Sequence, residues 1–181
     1  SLIDNLLAYS RISRNNIPLP LAEVNLNQIV QNAIGDLEIS VANKNAQITV
    51  EELPIIQAFP SQMHQLFLNL ISNAIKFVDE SAQPIVSIQV KEASLEEILK
   101  LKLTDTQYWK ITISDNGIGF AQKHADQIFT IFQRLNTDNV YKGTGIGLAI
   151  CKKVVQNHGG YISATSQPGH GATFNIYLPV A

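Results

Sequence analysis

Between Leu66 and Val78 the chain is apolar except at positions that repeat with a helical period. At roughly 100° per residue, Gln62, Gln65, Asn69, Asn73, Lys76 and Glu80 fall in one narrow wedge, while Phe67, Leu70, Ile71, Ala74, Ile75 and Val78 fill the opposite side. This pattern predicts an amphipathic helix with one core face. Tyr108 to Ser114 instead alternates apolar and polar, the signature of a strand. A second helical run opens at Gly143 to Gly147, passes Val154 and Val155, and is stopped near His158 by Gly159-Gly160. At the other end, Leu2, Ile3, Leu6, Leu7 and Tyr9 to Ile12 repeat with coiled-coil-like spacing, closed off near Ile17-Pro18.

The remaining pattern predicts a short strand near Glu23 to Asn25, a helix to about Asn43, and strands at Ala46 to Glu51 and Ile55 to Ala58. A strand at Ile85 to Lys91 follows the polar-striped helix, and two strands close the chain. Together they predict an α/β domain with a layer of helices on one face of a mixed sheet. Between the middle strands, Ser94 and Glu97 form a capping-box pattern, so one extra short helix is expected within 94–107.

With 181 residues, 45% of them hydrophobic, the chain can build one compact domain plus a short helical stub. A net charge of −2 without basic clusters argues against nucleic acid or an anionic membrane surface as partner. Cys151, the lone thiol, lies in an apolar helix and reads as a core residue in a reducing compartment. With no run of 18 apolar residues and no signal-peptide pattern, the expected location is cytoplasmic, whether or not a longer protein is membrane-anchored.

Candidate chemistry gathers at three places. Asn69, Asn73 and Lys76 offer amide oxygens suited to a hard cation and an ammonium suited to phosphate, although a solvated helix face would look the same. Asp115 ends a strand and is followed by Asn116-Gly117-Ile118-Gly119-Phe120. It can accept from an exocyclic amine such as adenine's, with glycines allowing a flat ligand to approach the backbone. An ordinary Asp-Asn-Gly turn would read identically. Gly143, Gly145 and Gly147 feed a helix N-terminus, whose unpaired amides and positive dipole end form an anion site.

Several phosphate-binding folds are excluded. The glycines follow a polar stretch rather than the strand of a dinucleotide fold. No Gly-Lys-Ser or Gly-Lys-Thr of a P-loop occurs, and the His-Arg-Asp and Asp-Phe-Gly signatures of eukaryotic-type protein kinases are absent.

In order and spacing, the three clusters resemble the ATP-binding domain of two-component sensor histidine kinases, within the wider gyrase, heat-shock chaperone, histidine kinase and mismatch-repair ATPase superfamily. Gln65 to Phe77 resembles its asparagine box, Asp115 to Gly119 its first glycine box, Ile128 to Arg134 its phenylalanine box and Gly143 to Gly147 its second glycine box. The closing segment from Gly159 to Pro179 is similar to its final strand pair, so the resemblance covers about Ala22 to Pro179. It implies a Bergerat-type two-layer α/β sandwich with a mostly antiparallel sheet. The implied division is 1–18 as the end of a dimerisation helix and 19–181 as the ATP-binding domain, with an ATP lid over 136–144.

The resemblance further implies a magnesium ion ligated by Asn73 and bridging the phosphates of ATP, with Asn69 close by, Lys76 near the phosphates and Arg134 on the γ-phosphate. Asp115 would take the adenine amine, with Phe77, Gly117, Gly119, Thr144 and Leu148 lining the nucleotide site and Thr173 near the adenine. Gly143, Gly145 and Gly147 would let the lid close. Tyr141 either covers the nucleotide or faces solvent, and Phe129 and Phe132 are expected in the core, setting the lid's hinge.

One departure bears on the reaction. The hydrolysing branches carry a Glu where this chain has Asn69, and an amide is no general base. A neutral histidine is already a nucleophile and does not need one. None of His64, His124, His158 and His170 is followed by the acidic residue that marks the family's acceptor. The implied partners are therefore a dimerisation and histidine phosphotransfer domain of the same protein, homodimeric at full length, and the receiver domain of a response regulator. The alternative is a non-catalytic nucleotide-sensing adaptor of the same fold.

Overall fold

The computed structural model describes residues 2–13, 21–135 and 143–180. Tyr141, the Asn136 to Lys142 run and Ile17-Pro18 lie outside the described residues. In chain order the elements are α1 (Leu2–Ser13), β1 (Ala22–Asn25), α2 (Leu26–Asp36), α3 (Glu38–Asn43), β2 (Gln47–Val50), β3 (Ile55–Ala58) and α4 (Pro60–Lys76). After these come β4 (Ile85–Glu92), α5 (Leu95–Lys100), β5 (Tyr108–Asp115), α6 (Gly147–Asn157), β6 (Tyr161–Ser166) and β7 (Ala172–Pro179). Short 3₁₀ turns at Gln122–His124 and Gln127–Phe129 precede α6. No helix among the described residues is long and apolar enough to cross a membrane.

Five strands form a mixed sheet in the order β2-β4-β5-β7-β6, in which only β2 and β4 run parallel. β1 and β3 stand apart as a two-stranded antiparallel ribbon. Ile111 and Ile113 of β5 and Phe174 and Ile176 of β7 are buried in one core with Leu66, Phe67, Leu70 and Ile71 of α4 and Val154 and Val155 of α6. Strand alternation brings these to one face and leaves Lys110, Thr112, Asn175 and Tyr177 on the other.

The structure departs from the periodicity in two places. The single helix expected to reach Asn43 is two, because Leu37 leaves helical geometry (φ −101°, ψ 9°) after the poor helix formers Gly35 and Asp36. No residue of α3 is fully buried; it touches the core only through the partly buried Val41, beside Leu37 at the break. The helix expected within 94–107 is present as α5, with both halves of its capping box made: Ser94 Oγ accepts from Glu97 N at 3.2 Å and Ser94 N donates to Glu97 Oε2 at 3.0 Å. It packs through Ile98 on Tyr108 and Tyr177, on the sheet face away from the other helices.

Candidate functional site

α4 places the first group of side chains. Pro60 sets its first turn, and the buried face of Met63, Leu66, Phe67, Leu70 and Ile71 fixes its rotation, turning Asn69, Ser72, Asn73 and Lys76 toward a cavity of ≈ 350 Å³. Asp115, Ile118, Gly119, Phe120, Ala172 and Phe174 add a wall from β5 and β7. Arg134, Gly143, Thr144, Gly145, Gly147 and Leu148 line it from the segments around α6. The volume lies within the range of small-molecule sites.

Asp115 is the last residue of β5 and points into this space. Its Oδ1 accepts from Gly117 N at 2.8 Å and Ala172 N at 3.2 Å. Burial nevertheless raises its pKa above the ordinary carboxylate value, against those two amides. Lys76 is pushed the other way: burial lowers its pKa, and Arg134 and Lys44 add to the effect. The cavity thus holds a carboxylate and an ammonium that are both short of compensation, so an amine donor at one and an anion at the other would each be welcome.

The two asparagines are placed differently. Asn69 is engaged, accepting from Gln65 Nε2 at 3.0 Å and donating to Gly147 O at 3.1 Å. The Asn73 side chain lines the cavity and has no hydrogen-bond partner among the described residues. Lys76 Nζ lies 4.6 Å from the Phe77 ring centroid, and a Cβ on Gly143 would meet this Nζ at 2.8 Å. A larger residue there would displace the flexible end of Lys76. α6 begins without a side-chain cap after Ile146, leaving its first-turn amides without a capping group.

A backbone bond from Phe132 N to Gly145 O, 2.9 Å, brackets the segment expected to be the lid. Both residues have positive φ (64° and 70°), and a Cβ on Gly145 would collide with Phe132 Cα at 3.0 Å. Phe129 is buried edge-on against Phe174, as a core aromatic should be. Phe132 is not: it is 59% exposed, because the segment after Phe129 turns instead of continuing as a helix.

Two other expected residues lie outside the cavity lining. Thr173 does not line the cavity; register pairs it with Ser114, one residue before Asp115, and its hydroxyl meets Ser114 Oγ at 3.0 Å on the opposite sheet face. Ala172 occupies the position beside Asp115 instead. Gly117 is buried beneath the site, its N–H spent on Asp115, and Ile118 N donates to Phe77 O at 2.8 Å. Phe77 itself does line the cavity.

Sequence reasoning also missed supporting residues. Lys44 Nζ donates to Ile75 O at 3.0 Å and Lys76 O at 3.2 Å, capping the C-terminal end of α4 from 31 residues away. At the other end of α4, His158 Nε2 accepts from Phe59 N at 3.0 Å, while Nδ1 lies 2.7 Å from Val154 O. Those partners require the neutral ring protonated on Nδ1, and burial lowers its pKa accordingly. None of the four histidines lines the cavity.

Residues 58–181 match the family described as histidine kinase-, DNA gyrase B- and HSP90-like ATPase. Cyanobacterial phytochrome A of Nostoc sp. is 42% identical over 99% of this chain, which spans 22% of that protein. Phytochrome-like protein Cph1 of Synechocystis sp. is 36% identical over 99% of the chain, again 22% of its own length. Among solved structures, full-length ShkA in complex with AMPPNP superposes with a TM-score of 0.75 at 26% identity, covering 99% of this chain and 35% of that one. The nucleotide-free catalytic domain of histidine kinase ThkA shares the fold, with a TM-score of 0.70 at 22% identity over 90% of this chain and 97% of that one. The chain belongs to the histidine kinase-, DNA gyrase B- and HSP90-like ATPase family.

Proposed function

We propose that this chain binds Mg-ATP in the cavity and passes the γ-phosphoryl to a histidine on a dimerisation domain of the same protein. A receiver aspartate of a response regulator then takes it. The observation that carries the reading is the pairing, within one cavity, of a desolvated carboxylate on Asp115 with a desolvated ammonium on Lys76 beside the uncapped N-terminus of α6. Asp115 would accept the adenine amine, with Ile118, Phe120 and Leu148 against the ring. The first-turn amides of α6, Lys76 and Arg134 would take the phosphates. Thr144, beside Gly143 and Gly145, belongs to the segment that would fold over them.

The donor set also fits magnesium, in a limited way. No cluster of three or more His, Cys, Asp or Glu able to hold a metal exists among the described residues, so the chain offers a lone amide oxygen on Asn73. Such a site would hold the ion only together with phosphate oxygens and water, the usual habit of magnesium. When bound, the ion would neutralise charge between the phosphates. The protein's own contribution is positioning: Lys76 would steady the phosphates and Arg134 the γ-phosphoryl while the acceptor nitrogen forms a P–N bond and the P–O bond to ADP breaks. The incoming imidazole supplies its own lone pair and loses its ring proton to solvent. Asn69 in place of a Glu removes a general base at that position, which favours transfer over hydrolysis.

We further take the full-length protein to be a homodimer with this module in the cytoplasm. Fusing the chain to its native dimerisation helices and supplying ATP labelled in the γ-phosphate should give acid-labile phosphohistidine. Tight ATP binding with no such product would identify a nucleotide-sensing adaptor instead.

A further inference from the structure

Two of the polar residues along α4, Gln62 and Asn69, are bonded to α6, and a third, Gln65, is bonded to Asn69. Near the start of α4, Gln62 Oε1 accepts from Asn157 Nδ2 at 3.1 Å; further along, Gln65, Asn69 and Gly147 form a relay of two hydrogen bonds. Gly147 O can only accept, so the Asn69 nitrogen must point to it and the Asn69 oxygen to Gln65. Gly147 is the first residue of α6, and no side chain caps that end.

Resting on the nucleotide reading above, we propose that Asn69 is a positioning residue. Its amide, oriented by Gln65, grips the Gly147 carbonyl and holds the first turn of α6 where its amides receive phosphate; it does not ligate the metal. Asn73 and Asn69, though spaced one turn apart and identical in chemistry, then divide the work: one amide is left open to the cavity, the other is used up in holding its wall. Gln65, which does not line the cavity, becomes a specific remote control. A carboxylate at position 65 would draw the Asn69 NH₂ to itself and turn the Asn69 oxygen against the Gly147 oxygen.

The test is a double-mutant cycle on ATP affinity, by calorimetry, in magnesium and in EDTA. From the worth of a single hydrogen bond, Asn69→Ala should weaken ATP about tenfold in both buffers, and Gln65→Glu about fivefold in both. In the Asn69→Ala background, Gln65→Glu should do nothing further. Gln65→Leu, which cannot turn the amide, should stay within about twofold of the unaltered chain. The proposal is overturned by an Asn69→Ala loss seen only with magnesium, by Gln65→Glu acting equally in both backgrounds, or by Gln65→Glu having no effect. The two single changes at Gln65 decide the matter even if Asn69→Ala fails to fold. An unaltered chain that takes up no ATP in either buffer overturns the nucleotide reading itself, and this inference with it.

Discussion

On the outer face of the sheet Glu97 and Lys110 form an ion pair joined by the Tyr177 hydroxyl, whereas in the cavity Asp115 and Lys76 have no such partners. The consequences have opposite signs. The hydrogen bond from Lys110, helped by the Ser94 amide, holds Glu97 down to about 2. Burial alone would lower Lys110, yet Glu97 and Tyr177 carry it above its ordinary value. In the cavity burial wins instead, lifting Asp115 and lowering Lys76. Both clusters use β5, so the strand carries an ion pair on one face and, at its end, a carboxylate held by two backbone amides with no cation paired to it among the described residues. The first cluster belongs to the fold, and the second is completed only by what binds.

The largest effect is expected at the cavity carboxylate. Asp115→Asn keeps an oxygen for Gly117 and Ala172 but presents a donor toward the adenine amine. It should weaken ATP about a hundredfold without lowering thermal stability. ATP should lose more than GTP; an unchanged ratio of the two affinities would end adenine recognition by this residue. Because its pKa is raised, the carboxylate protonates at a higher pH than a free aspartate, so ATP affinity should fall earlier on acidification than exposed carboxylates would explain.

Next in size, Asn73→Asp should change ATP affinity about tenfold in magnesium while leaving it nearly unaltered in EDTA. Magnesium without nucleotide should give no binding heat, and equal effects in both buffers would remove Asn73 from the metal. On the satisfied side the pattern reverses. Glu97→Gln should leave ATP affinity unchanged and cost about 1 kcal/mol of stability at neutral pH, the pair being partly exposed. Since the folded pKa of Glu97 is depressed from 4.5 to about 2, this difference should be complete above pH 4.5 and close as pH falls toward 2. Denaturant unfolding of both proteins across that window checks it, and a constant difference would contradict the assignment.

The smallest effect belongs to His158. Its folded pKa is lowered, so its contribution is present above the unfolded value of roughly 6.5 and is lost as pH falls below it. His158→Gln should therefore flatten the slope of melting temperature between pH 7 and 5. An unchanged slope would show that another group carries it.

Much of this was legible in the chain because local rules were strong. The α4 stripe, the Ser94–Glu97 cap and the alternation in β5 each follow from a period or a short-range bond, and each appears where the sequence puts it. What escaped was tertiary. A helix pattern cannot say that Gln62 and Asn69 bond to another helix and Gln65 to Asn69, so the three looked like the same chemistry as Asn73 and Lys76. That Thr173 pairs with Ser114 and not with Asp115 was not legible, because strand register decides which face a side chain takes and a shift of one residue reverses it. Lys44 and His158 act on partners 31 and 99 residues away, beyond any local signal. α5 was foreseen as an element but not on the face opposite the other helices, since its docking depends on Tyr108 and Tyr177 coming together.

Binding of Mg-ATP to the unaltered chain tests the central claim most directly, by calorimetry and thermal unfolding on one preparation. If the cavity is a nucleotide site whose charges await a ligand, ATP at about 100 times its dissociation constant should add roughly 2.7 kcal/mol and raise the melting temperature by about 5–10 °C, with measurable heat. Saturating Mg-ATP that produces neither heat nor a thermal shift would contradict it.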